Sequence, residues 1–315
     1  MRFATYEHNG RRSSGIVGED GTLHPLRDSL TELVLAGADL GTPPREASPG
    51  PHVTEVRLLP PLEPRSIRDF VTFEEHVEGV RRSVDGSGGV PEAWYAAPTF
   101  YFTNPHSVLG AHDEVPVPPG CAAFDFELEV AAVVGRTGTD LTAEQAREHI
   151  LGYTIFNDFS ARDLQSAEMK VGLGPCKGKD SASTLGPYLV TADELEPHRD
   201  DEGFLHLRLT AEVNGEVVGS DLLSNMSWTF EEMLSYASRG TRILPGDLLG
   251  SGTCGNGGCL AELWGRHGRG DPPPLRPGDE VTLTAEGIGS VSNTVVPGVP
   301  VKPLPRARKR SRARR

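Results

Sequence analysis

The chain is poor in cysteine. Its 315 residues carry four, Cys121, Cys176, Cys254 and Cys259, too few and too scattered to staple a chain of this length. A disulfide scaffold is therefore excluded. The one close pair, Cys254-x4-Cys259, has no second pair to complete a structural zinc site. No apolar run reaches the roughly 18 residues that a membrane-spanning helix needs, so no membrane partner is expected. Met1 to His8 leads into polar sequence without an apolar core segment, so no signal peptide is expected either. These absences point to a reducing cytoplasm. Positive charge is also scarce, with 31 Lys and Arg against 44 Asp and Glu. The net charge of −13 becomes −20 once the seven basic groups of residues 306–315 are set aside. So acidic a body is a poor partner for nucleic acid. The basic end, residues 301–315, reads as a disordered, solvated tail, with weak polyanion binding as the sharper alternative.

Glycine and proline are plentiful, at 37 and 26 residues, and argue for a loop-rich, mostly β enzyme. The length suits one large domain with a small appendage. Residues 1–60 read as a small β-rich module. Phe3–Tyr6 and Gly15–Gly18 flank the turn-like Asn9-Gly10, and Ser29 caps a short helix that ends before Gly37. A proline-rich linker follows at 41–51. The larger domain spans 61–300. It holds a helix from Glu74 to about Ser83, a second from Thr142 to His149, and a third from Thr229 to Ala237. Asn214-Gly215 between alternating segments is the strongest hairpin signal in the chain.

The stretch from Phe124 to Gly135 reads as one buried strand, with alternation entering an apolar run. Residues two apart in a strand share a face, so Glu127 and Glu129 project together while Leu128 and Val130 point away. Two buried carboxylates on one face must be paired, protonated or bound to a cation. The apolar strand Ile150–Asp158 ends on a third carboxylate, Asp158. Oxygen-only ligands favour Mg²⁺, with Mn²⁺ or Ca²⁺ as alternatives, over zinc. Asp69 sits where a strand passes into a loop, and side chains there are free to face a pocket. His76 is one of ten histidines and could be a base or a ligand. Lys179 stands beside glycine, but its surroundings lack the Gly-x4-Gly-Lys-Ser/Thr pattern of a phosphate loop.

Four motifs in order resemble the fumarylacetoacetate hydrolase family. They are Phe124-x-Phe126-Glu127-x-Glu129, then Asn157-Asp158-x-Ser160-Ala161-Arg162-Asp163-x-Gln165, then Gly178-Lys179, then Gly250-Ser251-Gly252-Thr253. The likeness covers about residues 60–298. It implies a mixed β-sandwich roll with a small leading domain, assembled as a homodimer. It also implies roles. Glu127, Glu129 and Asp158 would hold the metal, with Asp69 as a fourth carboxylate. His76 would activate water, and Lys179 would stabilise developing negative charge. Tyr101, Arg162, Gln165 and Thr253 would contact substrate or order the site. Read without the family, Arg162 and Asp163 could simply pair with each other, and Tyr101 could be core packing. The chain departs from the acylpyruvase-like members, which carry a Glu three residues after the histidine. Here that position is Gly79, and Glu74, Glu75 and Glu78 are the nearby carboxylates.

The expected activity is metal-dependent hydrolysis of a C–C bond in a 1,3-diketone or acylpyruvate-type 2-oxo acid, through a metal-bound enolate. The same machinery serves isomerases and decarboxylases acting on 2-hydroxy-dienedioates or oxaloacetate-like substrates. A degenerate binding protein is a further alternative, opposed by the presence of both His76 and Lys179.

Overall fold

The computed structural model describes residues 1–41, 49–85 and 88–308. Most of the expected linker, part of the 83–91 loop and residues 309–315 of the basic tail lie outside them. In chain order the strands are β1 (Arg2–His8), β2 (Arg11–Val17), β3 (Leu23–Pro25), β4 (Arg57–Leu59), β5 (Ser66–Phe70), β6 (Phe100–Thr103), β7 (Val108–Leu109), β8 (Val115–Pro116), β9 (Phe124–Asp125), β10 (Leu128–Val134), β11 (Ile150–Asp158), β12 (Ser160–Ala161), β13 (Ser183–Thr191), β14 (Arg208–Val213), β15 (Glu216–Leu222), β16 (Asp247–Gly250), β17 (Glu280–Ala285) and β18 (Gly289–Val296). The helices are α1 (Leu30–Leu35), α2 (Glu74–Asp85), α3 (Ala143–Arg147), α4 (Arg162–Met169), α5 (Ala192–Leu195), α6 (Phe230–Ser238) and α7 (Leu260–His267).

Local chemistry sets many of these boundaries. Asn9-Gly10 and Asn214-Gly215 both have two successive positive φ angles, 52° and 73° in the first and 54° and 78° in the second. That backbone matches the twist of the β1–β2 and β14–β15 hairpins they close. Reciprocal capping boxes start α1 (Ser29 with Glu32), α3 (Thr142 with Gln145) and α6 (Thr229 with Glu232).

One eleven-stranded sheet follows the path β3-β2-β1-β13-β11-β10-β16-β5-β6, with β4 paired to β1 and β7 to β13. A five-stranded sheet, β15-β14-β17-β18-β8, lies against one of its faces. This is the mostly β, two-sheet roll expected from the sequence. The strands of residues 1–60 continue the large sheet, because β1 pairs with β13 through Arg2↔Val190 and Phe3↔Leu189.

The main core sits between the two sheets, where Leu128, Val130 and Val134 of β10 meet Leu209, Leu283 and Val291. A smaller core lies on the opposite face of the large sheet. There Ala131 and Val133 of β10 pack with Ile67, Phe156, Leu185 and Leu248 under Leu30 and Val34 of α1. Covering on both faces is why β10 reads as a continuous apolar run.

Candidate active site

The carboxylates extend the smaller core by strand parity. On β5, Ile67 is in that core and Asp69 follows two residues later. On β10, Glu129 precedes Ala131 by two residues and Val133 by four, on the same face. On β11, Asp158 follows Phe156. The apolar layer thus ends in a layer of carboxylates. Glu127 reaches them from a break in the strand expected over Phe124 to Gly135. Phe124 to Gly135 is not one strand. The side chain of Asp125 takes the Phe126 amide at 2.8 Å and that of Asn157 takes the Glu127 amide at 3.0 Å, so these two amides leave the ladder and β9 separates from β10. An oxygen from each of Asp69, Glu127 and Glu129 lies within 4.8 Å of the other two. Gly250 leaves room for them, because a Cβ there would stand 2.8 Å from Asp69 Oδ1 and 2.9 Å from Glu129 Oε2.

All four carboxylates are buried, at no more than 3% exposed. Burial, and then the charge of neighbouring carboxylates, pushes Asp69 and Glu129 well above the usual carboxylate range. Asp158 is raised chiefly by burial, although Lys179 opposes the rise. Glu127 goes the other way. Burial would raise it, but the Lys179 ammonium and the Arg162 guanidinium outweigh burial and hold it at about 2. The set therefore holds more carboxyl groups than its own cations can keep ionised.

That imbalance, together with an unpartnered Asp69 Oδ1, is what a hard divalent cation would satisfy. Asp69, Glu127, Glu129 and Asp158 supply oxygen donors of the kind such ions take. The residues present fit the group.

Neighbours hold each carboxylate in place. Tyr101, the register partner of Asp69, donates its hydroxyl to Asp69 Oδ2 at 2.5 Å and also to Asp158. The Gly252 amide donates to Glu129 Oε2 at 3.0 Å, and the Thr253 hydroxyl to Glu129 Oε1 at 3.4 Å. Arg162 contacts Asp125 Oδ2 and Glu127 Oε1, each at 2.8 Å, and its Nη1 donates to Gln165 Oε1 at 3.1 Å. It forms no pair with Asp163, which instead accepts the Ala122 amide at 2.8 Å.

Lys179 is buried, pairs with Glu127, and lies 3.1 Å from Asp158 Oδ2. Burial disfavours its charge, but Asp158 and Glu127 more than offset this and raise its pKa. Its loop is clamped by Glu168 of α4, whose carboxylate accepts the amides of Cys176, Lys177 and Gly178 at 3.0, 2.6 and 3.0 Å. Residue 178 must be glycine here, since a Cβ would come within 2.6 Å of the Gln165 backbone nitrogen. His76, in the first turn of α2, is buried. Burial lowers its pKa to about 4, with Glu127 pulling the other way and Arg162 and Lys179 adding to the fall.

A cavity of about 410 Å³ opens onto the group. Asp69, His76, Tyr101, Glu127, Glu129, Arg162, Gln165, Lys179 and Thr253 all line it, with Val77, Val80, Trp94 and Met169 forming an apolar wall. Asp158 lies just behind, against Tyr101 and Lys179.

Residues 65–296 match the family model described as "Fumarylacetoacetate (FAA) hydrolase C-terminal". The chain belongs to the fumarylacetoacetate hydrolase family. It is an enzyme of that family. It is 29% identical to the oxaloacetate tautomerase YisK of Bacillus subtilis, over 94% of this chain and all of that protein. Among solved structures, it superposes on 5-carboxymethyl-2-hydroxymuconate delta-isomerase from Mycobacterium smegmatis with a TM-score of 0.70 at 26% identity, covering 94% of this chain and all of that one. It superposes on the fumarylacetoacetate hydrolase of Exiguobacterium antarcticum with a TM-score of 0.71 at 27% identity, covering 94% and 99%.

Three residues around this cavity were not singled out from the sequence. Asp125 stands two before Glu127, so the period-two spacing that flagged the glutamates also contained it. Glu168 follows Gln165 by three residues on α4. Cys259 carried no signal, because its Sγ meets His76 Nδ1, at 3.7 Å, across 183 residues of sequence.

Proposed function

We propose that the chain catalyses enol–keto tautomerisation or double-bond isomerisation of a 2-oxo acid, with Mg²⁺ as cofactor and Mn²⁺ or Ca²⁺ as alternatives. The observation that carries this reading is the meeting of an under-neutralised carboxylate cluster with Lys179 and His76 in one cavity. The tautomerase and isomerase names of the relatives above support it. A divalent cation in the carboxylate set would act as a Lewis acid on the substrate oxygens. The residues of the chain do the rest. Tyr101, Gly252, Thr253 and Arg162 orient the carboxylates. Lys179, positively charged and shielded from water, stabilises negative charge that develops on a substrate oxygen. His76 is uncharged at neutral pH and takes a proton from the substrate carbon next to the carbonyl, then returns it to a different atom. With Nδ1 against Cys259, Nε2 is the ring nitrogen left for this transfer.

Hydrolytic C–C cleavage of an acylpyruvate is the second reading, favoured by the likeness to a structure named as a hydrolase. It uses the same enolate but requires His76 to take its proton from water. A Mg²⁺- and Mn²⁺-dependent screen of oxaloacetate, ring-cleavage dienoates and acylpyruvates, with products identified, separates the two. Tautomer or double-bond exchange faster than C–C cleavage is expected. The reverse order would establish the hydrolase, and no metal-dependent change in any of these substrates would end both readings.

We further propose a homodimer in a reducing cytoplasm. The four cysteines are free thiols, and Phe102, Val171 and Leu173 supply exposed apolar surface for a second copy. Light scattering that returned the monomer mass would remove the dimer. No helix among the described residues is long and apolar enough to cross a membrane.

A further inference from the structure

We propose that residues 306–315 bind the phosphate backbone of nucleic acid, as a segment that works independently of the cavity. The site described above makes no use of this stretch. It carries six arginines and one lysine in ten residues, with no acidic residue among them. Residues 306–308, which include Arg306 and Arg308, are exposed.

The acidic body repels a polyanion, so a segment that binds one must stand clear of it. β18 ends at Val296, where it is paired with β8. The ten residues 297–306 then hold prolines at 297, 300, 303 and 305. Proline fixes φ and withholds an amide N–H, so such a run continues neither a sheet nor a helix and extends at about 3.1 Å per residue. Val299, Val301 and Leu304 within it are 71%, 60% and 92% exposed, as expected of a run that stands off the surface. A run of this kind carries Arg306 about 30 Å from the end of β18. That is several times the ~8 Å over which physiological salt screens charge. The body therefore neither neutralises the segment nor masks it.

The order of the residues favours phosphate. Arginine occupies every second position from 306 to 314, with Ala307, Lys309, Ser311 and Ala313 between. In an extended chain, residues two apart share a face at a spacing of roughly 6.8 Å. That spacing is about two phosphate steps along one DNA strand. A helix would scatter the same five arginines around its axis. A guanidinium grips phosphate through paired N–H donors, which an ammonium cannot do. An anionic membrane is the poorer match. Segments that lie on membranes set their cations opposite a broad apolar face. Residues 306–315 have two alanines as their only apolar residues, and the prolines before them prevent an amphipathic helix from continuing back to Leu304 and Val301.

The test uses the full chain and a short fluorescent DNA duplex of arbitrary sequence, with an RNA duplex of the same length beside it. Five to seven phosphate contacts on DNA predict a slope of log affinity against log salt of about −4.5 to −6.3. The affinity should then fall roughly 500-fold to 6,000-fold between about 50 and 200 mM salt. Deletion of residues 306–315 should abolish binding and leave the melting temperature and Mg²⁺ affinity unchanged. A full-length variant combining Arg308→Glu, Arg310→Glu and Arg312→Glu should behave like the deletion. Binding to either duplex supports the proposal, and the tighter of the two identifies the nucleic acid. Failure to bind either duplex at about 50 mM salt, or a slope on DNA shallower than about −2, would overturn it. Affinity that survives the deletion would do the same, because the body would then hold the site. So would capture of the chain by phosphatidylserine vesicles while neither duplex binds. A melting temperature lowered by the deletion would tie the segment to the fold and end its independence.

Discussion

Asp69 and Gly250 are register partners in the parallel β5–β16 pair, and the missing side chain of Gly250 is what lets the Asp69 and Glu129 carboxylates face one space. A methyl group there would lie less than 3 Å from an oxygen of each. Gly250→Ala should therefore weaken Mg²⁺ or Mn²⁺ binding at least about tenfold, a cost of roughly 1.4 kcal/mol. Calorimetry on the purified variant checks this. Undiminished affinity would mean that the cation is held somewhere other than between Asp69 and Glu129.

Without a cation, burial raises both Asp69 and Glu129, and the charge of Asp158 adds to the rise of Asp69 as that of Asp69 does to the rise of Glu129. A carboxyl whose folded pKa lies above its unfolded value stabilises the fold at low pH and loses that contribution as pH rises through the folded value. Their contribution should therefore be lost from about pH 4 upward; His76, held at about 4, adds stability only up to about pH 6.5, so the metal-free protein should show no net gain above that pH. A bound divalent ion should reverse the slope, adding about 2.7 kcal/mol at 100 times its dissociation constant. Melting curves with chelator and with Mg²⁺ across pH 5 to 8 are the measurement. A metal-free melting temperature that rises steadily over this range would contradict the carboxylate assignment.

Lys179 is the buried cation between Glu127 and Asp158. Lys179→Met keeps the length of the stem and removes the charge. If Lys179 stabilises the developing anion, kcat should fall by about 100-fold to 1,000-fold with little change in KM. Cation affinity should hold or tighten, because a competing positive charge has gone. Steady-state kinetics beside calorimetry decide it. A change in KM alone would make Lys179 a uniform binding contact.

Asp125 is fully buried and serves Arg162 and two α7 amides at once. Asp125→Ala leaves a buried guanidinium with one carboxylate fewer and three amides, those of Phe126, Leu260 and Ala261, without their acceptor. The expected loss is about 3–5 kcal/mol of folding stability, read as a lower urea midpoint at unchanged slope. A loss below about 1 kcal/mol would show that Glu127 alone can satisfy Arg162.

Much of this architecture was legible from local rules. Asn-Gly pairs define hairpins because only residues tolerant of positive φ can close them, and Ser29, Thr142 and Thr229 announce helices through side chains that reach their own first turns. Glu127 and Glu129 stand out because strand parity makes two carboxylates share a face, and Asp158 because it ends an apolar strand. These signals act over a few residues, so the chain order contains them.

What the sequence by itself determined is thus a set of strands with carboxylates at their ends, and the motifs of one enzyme family. Only the tertiary structure decided which groups meet. It broke the expected strand at Phe126–Glu127 by side-chain capture of two amides. It paired Arg162 with Asp125 and Glu127 instead of its neighbour Asp163. It also brought the Cys259 thiol to His76 across 183 residues of sequence. The physical reason is common to all three. A buried polar group must be satisfied, but which partner satisfies it depends on what long-range packing brings within hydrogen-bonding distance, and no local pattern carries that information.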